Sequence, residues 1–165
     1  MRYLVTAMIL ALFVTAARAA DDDKAERNKK LADYLTGAKL TGHFTVAGKE
    51  MKELPAEEYT IVSAEKTDEG EYWLLRARIK YGGKDTTVPV PIEILWAGKT
   101  PVLTLDNITL PGLGTFSTRV VLNDDKYAGT WQHDKVGGHL FGTITRANGD
   151  KDGEKSPKED DNPSK

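Results

Sequence analysis

From Lys39 to Arg146 the chain repeats with a period of two: Leu40, Gly42, Phe44 and Val46 alternate with Thr41, His43 and Thr45. Successive strand side chains point to opposite faces, so this pattern describes half-buried strands and not an amphipathic helix. Further runs of this kind occupy 58–65, 71–81, 85–96, 101–106, 115–122, 126–132 and 138–146. Turn residues separate nearly all of them: Thr67-Asp68-Glu69-Gly70, Gly82-Gly83, Ala97-Gly98, Pro111-Gly112 and Asn123-Asp124-Asp125. About eight short strands with tight connections predict an all-β domain, an antiparallel meander forming a small or partly open β-barrel.

One hairpin can be read residue by residue. A two-residue turn at Gly82-Gly83 sets Tyr81 against Lys84. The same register sets Ile79 against Thr86, Ala77 against Val88, Leu75 against Val90 and Trp73 against Ile92, nearly all apolar. The opposite face pairs Lys80 with Asp85 and Arg78 with Thr87, and a one-residue slip would destroy this agreement. In that register Pro89 and Pro91 face away from the partner strand, leaving the other edge short of two donors. A turn spanning Ala97–Thr100 places the next strand beside Pro91 near Asp106, so a seam or opening is expected there.

The flanks differ from this body. Arg2, the apolar stretch Tyr3–Ala17 and the small-x-small sequence Ala17-Arg18-Ala19 predict a signal peptide over 1–19, and hence a periplasmic or secreted protein. Its removal takes two arginines and no acid from a formal charge of −2, leaving −4 and no span in the mature chain. That acidity argues against nucleic acid as a partner. The chain has no cysteine, so its core must hold it without disulfides or a lipid anchor. Over 20–37, Leu31, Tyr34 and Leu35 recur at helical spacing behind Asp21-Asp22-Asp23, with Gly37 as the stop. This short helix is expected to cover one end or face of the domain over 38–146. Residues 147–165 include ten charged side chains and no Leu, Ile, Val or aromatic, the composition of a disordered tail.

Candidate chemistry concentrates near the C-terminal strands. A five-residue loop over Asp134–Gly138 would set His133 and His139 opposite each other, a potential zinc or copper pair with Asp134 or His43. The same face would carry Tyr127, Trp131 and Phe141, an aromatic row able to line a ligand cavity or simply to fill the core. Arg76, Arg78 and Lys80 form a basic row that suits an anionic polysaccharide, a lipid headgroup or plain solvent. Catalysis finds little: no cysteine nucleophile, no G-x-S-x-G and no H-E-x-x-H. The carboxylates at Glu57-Glu58 and Glu69/Glu71 sit where a solvated charge is the ordinary choice.

The phrases Tyr81-Gly82-Gly83-Lys84-Asp85, Leu110-Pro111-Gly112-Leu113-Gly114-Thr115 and Tyr127-Ala128-Gly129-Thr130-Trp131, with Gly137-Gly138-His139-Leu140-Phe141-Gly142, resemble those of a group of exported bacterial β-domain proteins. That resemblance brings no activity with it. By strand pattern the chain also resembles the calycin barrels, lipocalins and streptavidin-like proteins, although its Gly129-Thr130-Trp131 lies in the penultimate strand and not the first. Taken together, these features lead to the expectation of an exported, non-enzymatic binding protein. Its ligand would be a small apolar or envelope-derived molecule held in the barrel at Tyr127, Trp131, Phe141, His133 and His139, with no cofactor. The alternatives are a structural or protein-interaction module of the envelope, and a metal-assisted enzyme using His133 and His139.

Overall fold

The computed structural model describes residues 21–81 and 84–146. The expected signal peptide over 1–19, the charged tail over 147–165 and the Gly82-Gly83 turn lie outside the described residues. A helix, α1, covers residues 21–35. Eight strands follow: β1 (Ala38–Phe44), β2 (Ala56–Lys66), β3 (Tyr72–Tyr81), β4 (Lys84–Ala97), β5 (Thr100–Leu110), β6 (Gly114–Asn123), β7 (Lys126–His133) and β8 (Val136–Arg146). Each pairs antiparallel with the next, and β8 returns to β1, closing the meander into a barrel.

The β3–β4 register is the one the sequence dictates, from Tyr81↔Lys84 to Trp73↔Ile92. Inward side chains fill the barrel, with Trp73 and Ile94 fully buried and Ile92, Leu122 and Ile144 nearly so. The β6–β7 turn places Asp124 and Asp125 at positive φ, the geometry that matches strand twist in a two-residue hairpin.

α1 closes one end of the barrel. Its Leu31 and Leu35 belong to the core, and Gly37, at φ +79°, ends the helix and donates to Ile61 O at 2.7 Å. Polar contacts surround this seat: Lys24 to Glu71 at 2.7 Å, Tyr34 to Asp125 at 3.1 Å, and the Arg27 guanidinium 4.2 Å above the Trp96 ring. The seat is incompletely matched. Among the described residues, Arg27 Nε, Asn28 Oδ1, Glu71 Oε2 and Trp96 Nε1 at this seat, and Trp73 Nε1 in the interior, are buried without a hydrogen-bond partner. Among the described residues no helix is long and apolar enough to cross a membrane.

The wall is closed but uneven. The β4–β5 ladder runs from Ala97↔Thr100 only to Glu93↔Thr104, stopping where Pro91 would meet Asp106. β5 then bulges between Leu105 and Ile108, with Asn107 at φ +51°. Side chains of β6 take up backbone groups of the bulge: Asn107 N donates to Ser117 Oγ at 2.9 Å and Arg119 Nη1 donates to Leu105 O at 3.0 Å. The proline edge thus produces a short ladder inside a barrel that still closes around its circumference.

Candidate functional site at the open end

The end opposite α1 carries the connections after β1, β5 and β7 and the facing ends of β3 and β4, and among the described residues no helix. The inward residues nearest to it include Phe44, Ile79, Val88, Ile108, Phe116 and Trp131, all only partly buried. They form an apolar collar above the packed interior. Phe44 meets Trp131 edge to face at 5.7 Å, and Phe116 stacks on His133 at 4.4 Å. Trp131 is fixed by its indole, which donates to Thr45 O at 3.1 Å. Leu113, on the β5–β6 connection, turns back and is buried with the core. Val88 and Ile108 flank the short β4–β5 ladder, so the collar is interrupted on that side.

Beneath the collar lies a polar group that sequence reading treats as solvated. Glu57 is 4% exposed and pairs with Gly42, the inward position that precedes Phe44 on β1. Tyr127 Oη donates to Glu57 Oε1 at 2.8 Å, and Tyr59 Oη donates to Oε2 at 2.9 Å. Burial pushes the Glu57 carboxyl above its usual range; the two phenol hydrogen bonds and the His43 charge oppose that shift. Burial and the adjacent Glu57 carboxylate drive the Tyr127 phenol far above its ordinary value. The only sequence signal for this buried acid is parity: Glu57 falls in step with Tyr59 and Ile61, both inward residues.

The expected aromatic and histidine face divides in two. Tyr127, Trp131 and His133 point inward, whereas Phe141, 43% exposed, and His139 point outward. The reason is the turn. His133 pairs with Val136, so the loop is Asp134-Lys135 and not five residues, and His139 stands opposite Thr130. Gly137 and Gly138 belong to β8. A Cβ on Gly138 would overlap Thr45 O, and one on Gly137 would overlap the Gln132 side chain. The two histidines therefore lie on opposite faces of the wall and do not form the expected metal pair. Among the described residues no three His, Asp or Glu side chains gather as a metal site. His139 Nδ1 lies 3.3 Å from Thr45 Oγ1, and His43 Nδ1 lies 3.1 Å from Leu54 O.

The outer wall also departs from a uniform solvated surface. Of the basic row, Arg78 is held by Asp85 in a bidentate pair at 2.7 and 2.6 Å, and Lys80 by Glu58 at 2.9 Å. On the far side an apolar row crosses five strands in register, Leu95↔Val102↔Val121↔Ala128↔Phe141. Above that row, toward the open end, is a groove of about 760 Å³ on the outer faces of β6 and β7.

Comparison of the chain with protein-family models, with curated proteins and with solved structures finds no match. What stands is the shape, an eight-stranded antiparallel barrel of calycin-like form.

Proposed function

We propose that this chain is an exported, non-enzymatic binding protein whose ligand, a small apolar or envelope-derived molecule, seats in the open mouth of the barrel. The observation that carries this reading is the collar of Phe44, Phe116 and Trp131: inward-facing rings left partly exposed at the one end α1 does not cover. A ligand there replaces water over apolar surface at about 25 cal/mol per Å². The interior below the collar is filled by side chains, so the site is a shallow mouth and not a deep cavity. His133, stacked on Phe116, and the interrupted wall beside Val88 would shape its edge.

Native mass spectrometry of the domain purified gently from the exported fraction tests this. The expected result is an added mass that is lost on denaturation and absent from a Phe116→Ala variant. A bare polypeptide mass that stays bare after incubation with an envelope lipid extract contradicts the reading.

The second reading, an envelope interaction module, is favoured by the row Leu95, Val102, Val121, Ala128 and Phe141. Three of these are exposed large apolar residues: Leu95 at 42%, Val121 at 42% and Phe141 at 43%. A concentration-dependent dimer that Phe141→Asp abolishes would select it; a monomer at all concentrations would not.

A further inference from the structure

We propose that the groove on the outer wall, which meets the mouth at Trp131, binds a segment of acidic polysaccharide. Its floor is the outer face of β6 and β7, where Ser117, Arg119, Thr130 and Gln132 stand side by side. One bank is the continuation of β1 through Val46 and Ala47 to Lys49, and the turn residue Lys135 stands at the same end. That bank is built and not incidental: Thr45 N donates to His139 O and Ala47 N to Gly137 O, both at 2.8 Å. The close approach requires the absence of a side chain at Gly138. Asp106 on the β5 bulge forms the opposite bank and is spent on Arg119, with two contacts at 2.8 and 2.9 Å.

The charge left over is positive. Lys49 and Lys135 make no ion pair among the described residues, whereas Lys24, Lys29, Lys30, Lys39 and Lys80 each hold a carboxylate. Two uncommitted cations on one groove of an acidic chain select an anionic ligand. The rest of the lining selects among anions. On the open sheet face the Thr130 hydroxyl and the Gln132 amide oxygen match the hydroxyls of a sugar chain, Ser117 Oγ being bonded to Asn107 and Gln132 Nε2 to Asp134 O. One row beyond the groove on the same face, the exposed Phe141 and Val121 extend the surface with apolar side chains on which sugar C–H faces can pack. The groove is open to solvent, which suits a chain that continues past the site better than an enclosed small molecule.

Titration calorimetry of the mature protein with polygalacturonate, a linear uronate polymer, tests the proposal, with neutral dextran and poly-glutamate as comparison ligands. Polygalacturonate is expected to bind and dextran to bind far more weakly. A Lys49→Ala/Lys135→Ala double variant is expected to lose about tenfold in affinity, since it removes two exposed charges. Lys99→Ala, an exposed lysine at the other end of the barrel, is expected to stay within about twofold. Three results would each overturn the proposal: dextran binding as tightly as polygalacturonate, equal affinity for the double variant, or poly-glutamate binding as tightly with the same lysine dependence. The last would show that the groove reads charge and not sugar. Trp131 lines the groove as well as the collar, so the mouth is read separately by Phe116→Ala, at a ring outside the groove lining.

Discussion

Tyr127 on β7 reaches Glu57 on β2 across two intervening strands, and the hydroxyl arrives within 2.8 Å of the carboxylate. The path lies along one cross-strand row, Tyr127↔Gly142↔Gly42↔Glu57. Both intervening inward positions are glycine, and the ring occupies the space their side chains would take. The contact ties β7 to β2 through the interior, beside the line where the last strand closes on the first.

Removing the hydroxyl isolates one oxygen of a buried carboxylate. Tyr127→Phe is expected to cost about 1–3 kcal/mol, the penalty for a buried polar atom that loses its partner. Chemical denaturation of the variant against wild type measures it.

The two glycines are predicted to be intolerant for the same reason. A Cβ on Gly42 would overlap Phe141 O and stand 2.5 Å from Tyr127 Oη; one on Gly142 would overlap Thr41 O and lie 2.7 Å from the Tyr127 ring. Because strand backbone and not a flexible side chain obstructs, Gly142→Ala is expected to reach the upper part of the usual overpacking range of about 1–3 kcal/mol. Thermal and urea unfolding would show it, and adding Tyr127→Ala should recover only the part due to the ring.

Glu57 also gives stability a pH dependence of unusual sign. Its folded pKa is raised above the ordinary 4.5, so between those two values the folded protein binds more protons than the unfolded chain. Its contribution to stability is therefore fully present below the ordinary value and declines as pH rises through the raised one. Glu71, whose carboxyl Lys24 holds below the ordinary value, acts in the opposite direction. Comparing wild type with Glu57→Gln isolates the first effect. The stability of wild type minus that of the variant is expected to fall as pH rises from about 4, then to level off. A difference that rises over this range would contradict the buried placement.

α1 is expected to be the least stable part of the described domain. Leu35, 1% exposed, anchors it, and Leu35→Ala should cost about 2–5 kcal/mol if the helix folds with the barrel. Four unpartnered polar atoms at its seat make local undocking easier than opening of the strands. Hydrogen exchange should show faster exchange for amides of residues 24–35 than for those of β3 and β4.

How much of this was legible in the sequence depends on what neighbours each residue. The β3–β4 hairpin was readable because Gly82-Gly83 and two clean faces point to the same register, and Pro89 and Pro91 located the end of the next ladder. The last hairpin was misread because Gly137-Gly138 resembles a loop. In the fold those glycines are strand residues, flattened to admit Thr45 and Gln132, which lie far away in sequence or across the strand. Glu57 was passed over for a related reason. An acid beside another acid near a strand start is normally solvated, and its two phenol donors come from Tyr59 and from a residue seventy positions away. The mouth was half legible: Trp131 and His133 share it, while Phe141 and His139 belong to the outside.

The central claim is that ligand binds in the mouth, and the three tryptophans provide its most direct test. Trp131 lies in the collar, Trp73 in the packed interior and Trp96 under α1. Their indole N–H signals in a ¹H–¹⁵N spectrum report on three separate places, during titration with N-phenyl-1-naphthylamine or an envelope lipid extract. The account predicts a saturable shift of the Trp131 signal, with those of Trp73 and Trp96 left in place. A titration that leaves Trp131 unmoved, or moves only Trp96, would contradict it.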